Sequence, residues 1–136
     1  MVANVQVHSR GETPFIQFLE DHDFEVQQIT DSVIQASRID ELPVFINHKD
    51  GQLYFEVDLA ATNEIGSKEL YYKLLDINTQ ILPLSVGIDS TDPDNPKLVL
   101  VESRESQNLD ENEILSVLNA FELAIDKIEN ILTDHV

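Results

Sequence analysis

The chain has 136 residues, 42% of them hydrophobic, and 26 Asp and Glu against 8 Lys and Arg give a formal net charge of -18. That length suits one domain with one real core, burying roughly two-thirds of its unfolded surface, and the apolar content excludes a disordered acidic tail. The charge opposes the counterion release that drives binding to phosphate backbones, which excludes ordinary nucleic-acid and anionic-membrane partners and favours a basic partner or none.

Residues 1–12 carry no clear period and read as a loose arm, with a short extended piece around Val5 and Val7. They lack the basic start and apolar run of a leader, and nowhere do about 18 apolar residues run together as a membrane helix needs. The expectation is a cytoplasmic protein without membrane insertion. A first helix follows, with Thr13 as cap, Pro14 at the first helical position, and Phe15, Ile16, Phe18 and Leu19 on its apolar side, ending near His22 and Asp23. "FEVQQITDSVIQASRI" reads as two short extended segments around Thr30 and Asp31, with Phe24 and Val26 on one face and Ile34 and Ala36 facing the core.

"PVFINHKDGQLYFEVDL" places Asp50-Gly51 between runs rich in β-branched and aromatic residues, the signature of a β-hairpin. In its second strand Leu53, Phe55, Val57 and Leu59 alternate with Tyr54, Glu56 and Asp58, so one face is buried and the other is wet. Glu56 and Asp58 form a possible carboxylate pair, which a chain this acidic produces without catalysis. Leu70, Leu74 and Ile77 then recur at helical spacing, predicting a helix over 64–80 with Asn63 or Ser67 as cap and Pro83 preventing its continuation.

Leu84, Val86 and Ile88 alternate, and Leu98 to Val101 run together, so a second hairpin brackets "DSTDPDNP". Its carboxylates raise the question of a metal loop. An EF-hand needs Gly at position six and a bidentate Glu at position twelve. Starting at Asp89 those positions hold Asp94 and Leu100, and starting at Asp92 they hold Lys97 and Ser103. Neither register works, whereas Asp, Asn, Ser and Pro are what a turn selects.

The last segment is the clearest helix, with Asn108 as cap, Glu111 completing a capping box, and Asp110 and Glu113 suiting the positive end of the dipole. Ile114, Leu118, Phe121, Ile125, Ile128 and Leu132 form a stripe that Val117, Ala124, Ile131 and Leu115 widen. About 25 helical residues extend ~37 Å, more than a small sheet covers, so the stripe is expected to divide between the protein's own sheet and a second surface.

The chain has no cysteine, which removes disulfides, thiol chemistry and Cys-based metal sites. His8, His22, His48 and His135 lack the H-x-x-x-H spacing of a helical metal site, and no G-x-S-x-G, P-loop or G-x-G-x-x-G occurs. No catalytic residue, cofactor or metal site is implied.

The order helix, strands, helix, two strands, long terminal helix resembles the type III secretion chaperone-like fold of class I secretion chaperones and YbjN-type bacterial proteins: an α+β single domain over 13–136. Within it, "LDINTQILPLSVGI" followed by a strand and an acidic amphipathic helix resembles the YjfI family of bacterial proteins. The resemblance implies a small acidic homodimer that holds a partner protein, with a relative of phage-shock protein A, a coiled-coil membrane-stress protein, as candidate. The expected function is a non-enzymatic chaperone or adaptor, with Ile125, Ile128 and Leu132 on the terminal helix and Tyr54, Glu56 and Asp58 on the sheet as candidate partner or dimer contacts. The alternatives are an acidic nucleic-acid mimic that decoys a basic partner, for which charges dispersed over every element are a poor match, and an unrecognised enzyme.

Overall fold

The computed structural model describes residues 2–8, 11–63 and 66–134. The elements in chain order are β1 (Gln6–His8), β2 (Glu12–Pro14), α1 (Phe15–Asp21), β3 (Glu25–Gln28), β4 (Val33–Ser37), β5 (Val44–Lys49), β6 (Gln52–Ala61), α2 (Lys68–Ile77), β7 (Ser85–Asp89), β8 (Lys97–Glu105) and α3 (Glu111–Thr133). β1 and β2 pair with each other, and the remaining strands hydrogen-bond in the order β3-β4-β5-β6-β8-β7. This is the α+β arrangement with antiparallel strands and a long C-terminal helix that the sequence predicts. The chain forms two compact units, Met1–Val57 with Glu102–Val117, and Asp58–Val101 with Leu118–Val136.

In the first unit the N-terminal residues depart from the loose arm expected of them. Val2, Val5 and Val7 are buried, and the strand they lead into pairs antiparallel with Glu12–Pro14. The amide of His8 donates to the carbonyl of Leu109 (2.7 Å), and that of Phe15 to Val5 (2.9 Å). Thr13 is therefore a strand residue and does not cap α1. Pro14 takes the cap position with an extended ψ of 141° and makes no side-chain cap bond. α1 buries Phe15, Phe18 and Leu19.

The hairpin between β5 and β6 turns at Asp50 (φ 54°) and Gly51 (φ 75°). Two successive left-handed residues make the turn whose twist matches that of the strands, as the Asp-Gly pair predicts. Ile34, Ala36, Val44, Ile46, Leu53, Phe55 and Val57 are buried by alternation along β4, β5 and β6. At the start of α3 the expected cap is displaced by two residues. Asp110 Oδ1 accepts from the amide of Glu113 (2.7 Å), while Asn108 stands outside the helix at φ 56°. Both Asn108 and Asp110 have Glu three positions on, and the complete burial of Leu109 between them decides in favour of Asp110.

In the second unit Ser67 caps α2, its hydroxyl accepting from the amide of Leu70 (3.1 Å). The expected helix start at residue 64 lies outside the described residues. Leu70 and Leu74 face inward, and a 3-10 turn at Asn78–Gln80 ends the helix ahead of Pro83. β7 and β8 pair from Ser85↔Val101 to Asp89↔Lys97. In the loop between them Asp89 Oδ1 accepts from the amide and hydroxyl of Thr91 (2.9 and 2.6 Å), and Asp92 Oδ1 from the amide of Asp94 (3.1 Å). These carboxylates thus close the turn. Leu118, Phe121, Ala124 and Ile128 form the buried side of α3 in this unit.

Candidate partner-binding surfaces

Tyr54 and Glu56 belong to the first unit, where they lie on the face of β6 opposite Leu53, Phe55 and Val57. Register places Tyr54 across from Asn47 and Glu56 across from Phe45, and these in turn across from Val33 and Gln35. Directly opposed residues share a face and touch, so the expected wet face carries an aromatic and amide surface. Tyr54 is 44% exposed; Phe45, Glu56, Asn47, Val33 and Gln35 are half-buried. Asn47 Oδ1 is enclosed without a hydrogen-bond donor, a group whose desolvation is uncompensated in this arrangement.

Asp58, Ile125, Ile128 and Leu132 belong to the second unit. Asp58 pairs with Lys97 at 2.9 Å, and both side chains are more than one-third exposed, so the pair contributes little stability. Along α3 the three apolar candidates separate. Ile125 and Leu132 keep part of their surface, whereas Ile128 keeps none. Ile128 falls one turn after Ala124 and two after Phe121 on the inward stripe, so its role is in the core and it presents nothing to a partner.

The second unit also exposes large apolar side chains: Ile88 (54%) on β7, which departs from the burial of its alternating partners Leu84 and Val86, and others not singled out by the sequence analysis, Tyr72 (74%) and Leu75 (68%) on α2, Leu82 (73%), and Leu123 (67%) on α3. Their signal was present in "ELYYKLLDI", where Tyr72 and Leu75, three apart, make a second apolar stripe beside that of Leu70 and Leu74. At β7, the amide of Val86 donates to Asn78 Oδ1 (2.7 Å).

Two polar clusters of the first unit complete the inventory. A cavity of about 320 Å³ is lined by His8, His48 and Ser106 with the amides of Asn4, Gln6, Gln107 and Asn108. Ser106 Oγ lies 3.1 Å from His48 Nε2 and donates to the carbonyl of Gly51 (3.0 Å). A carbonyl only accepts, so the hydroxyl proton is committed to Gly51 and His48 serves as donor to Ser106, the reverse of general-base activation. The second cluster joins Glu102, 3% exposed, to Arg104 and Glu113. No described helix is long and apolar enough to cross a membrane.

The model of the CesT_Tir_1 family, which is type III chaperone-like, matches residues 15–136, and the chain belongs to this family. Among solved structures, SpcU in the heterodimeric ExoU-SpcU complex of the Pseudomonas aeruginosa type III secretion system aligns with TM-score 0.68 and 13% identity, covering 86% of this chain and 96% of that one. YbjN from E. coli aligns with TM-score 0.59 and 17% identity, covering 88% and 89%. At these identities the likeness is one of fold. No curated protein matches the sequence.

Proposed function

We propose, taking membership of the CesT_Tir_1 family as the premise, that the protein is a non-enzymatic chaperone or adaptor that holds a partner protein and works as a cytoplasmic homodimer. The observation that carries this reading is the exposure of Tyr72, Leu75, Ile88 and Leu123 on the regular elements of the second unit. Large apolar side chains on a helix or strand, open to water, mark surfaces that are covered in use. The SpcU likeness supports the same reading, since that protein is seen in a complex with a second chain. Ile125 and Leu132 add partly exposed apolar area to the second unit, and Asp58 a carboxylate. Tyr54 and Glu56 give the first unit a separate surface able to receive an extended partner segment.

The finer reading follows the YjfI resemblance and takes a coiled-coil relative of phage-shock protein A as partner. Sedimentation equilibrium and co-purification from the native host test both levels, comparing wild type with the Tyr72→Asp, Leu75→Asp double variant. The wild type is expected to sediment as a dimer at tens of micromolar and to retain its partner. A folded variant with unchanged assembly and unchanged partner capture refutes the surface, and a wild-type monomer at both low and high salt refutes the homodimer.

A further inference from the structure

In the first unit, β8 contributes Glu102 to Glu105, and along these residues Glu102 is buried while Ser103 and Glu105 are exposed. The Glu102 side chain is 3% exposed. Arg104 Nη2 approaches Glu102 Oε1 to 2.5 Å, yet neither Glu102 oxygen is aligned for a hydrogen bond, and Arg104 Nε also lacks one. The contact is charge against charge without the directional bonds that normally compensate burial. From α3 the carboxylate of Glu113 reaches the same guanidinium, 3.8 Å from Nε. Two carboxylates therefore compete for one cation.

We infer that Glu102, Arg104 and Glu113 form a proton-operated latch between β8 and the first turn of α3. With Glu102 ionised, Arg104 is held between two carboxylates and satisfies neither. When Glu102 takes a proton from solvent it becomes a neutral carboxylic acid, suited to its dry position, and Arg104 is released to pair with Glu113 alone. A cavity of about 480 Å³ beside the cluster is lined by Arg104 and Glu113, with Ser103 and Glu105 from β8, Gln52 from β6 and Gln107 and Asn108 from the connecting loop, and it gives solvent access to the guanidinium that Glu102 contacts. Arg104 and Glu113 are the charged groups that act on Glu102; Glu105 on the same strand is a further carboxylate lining the cavity, and the residues that β6 and the loop add to it are neutral.

Burial is the largest influence on Glu102 and raises its pKa above the ordinary 4.5; Arg104 opposes that shift and Glu113 reinforces it. A carboxyl whose native pKa is raised binds its proton more tightly when folded than when unfolded. Its contribution to stability is therefore absent above the native pKa, grows as pH falls through that value, and is complete below the unfolded one. This is opposite in sign to the usual salt-bridged carboxylate.

The test compares thermal unfolding of wild type and Glu102→Gln from about pH 7.5 down to about pH 5, the variant mimicking the protonated form. Glu102→Gln is expected to melt several degrees above wild type at the upper end, with the gap closing towards the lower end. A gap that does not change with pH, or a variant less stable than wild type at neutral pH, overturns the latch. Carbon-13 NMR of the Glu102 carboxyl provides a readout independent of melting. Its titration should lie above the ordinary glutamate range in wild type and move down in Glu113→Gln; an ordinary value, or one indifferent to Glu113, also overturns it.

Discussion

The two units depart from the rule of apolar inside and charged outside in opposite directions. The first buries a charge, Glu102, and its exposed residues Ile29, Ile39 and Leu42 sit outside helices and strands, with Tyr54 partly open on β6. The second exposes Tyr72, Leu75, Ile88 and Leu123 from helices and a strand. A scattered apolar residue in a turn needs no explanation, whereas a buried carboxylate or an apolar stripe facing water does. The difference separates the two proposals: the buried carboxylate of the first unit is where a response to pH would originate, and the open apolar residues of the second are where a partner would be sought.

The comparison breaks most visibly at the core of the first unit. Phe15→Ala, at a side chain with no exposed surface, is expected to cost about 3 to 5 kcal/mol, read as a lowered urea midpoint. A loss below 1 kcal/mol would show that the N-terminal segment is held less firmly than its hydrogen bonds to α1 and Leu109 imply. Next in size, Asp110→Ala should cost about 1 kcal/mol through loss of the helix cap. Asn108→Gly should be neutral or slightly stabilising, since glycine adopts its positive φ without strain. Equal losses at both positions would return the cap to Asn108. The smallest effect on stability is expected at the open stripe of the second unit, where Leu75→Ser should stay within about 0.5 kcal/mol of wild type. Assembly or partner capture should nevertheless weaken, and a large loss of stability in the isolated chain would show Leu75 to be structural.

What the sequence made legible is whatever its neighbours decide. Asp50-Gly51 determines its turn through two backbone angles, and the alternation from Leu53 to Val57 determines which side of the strand is dry, so both hairpins and the long helix were readable. The burial of Val2, Val5 and Val7 was not, because a strand of three residues has too little length to show a period and is held by a partner about a hundred positions away, at Leu109. The cap of α3 was ambiguous for a related reason: two overlapping Asx-x-x-Glu frames were available, and only the burial of Leu109 selects one. The sheet candidates Tyr54 and Glu56 could be assigned to a face, but that Phe45 and Asn47 stand beside them depends on the register across the hairpin. The open stripe of Tyr72 and Leu75 is hard to read from sequence because the inward face of Leu70 and Leu74 already accounts for the helical period of α2.

The bond from Val86 to Asn78 has a consequence for how the protein behaves at high concentration. β7 ends the strand order, and an outermost strand offers unpaired amides and carbonyls to any extended chain that drifts past. Because the amide of Val86 is already occupied by the Asn78 side chain, an incoming strand must first displace that side chain before it can register along β7. Ile88, apolar and half open on the same strand, would otherwise invite such stacking. The occupied amide thus adds a cost to strand addition along β7, next to the exposed Ile88.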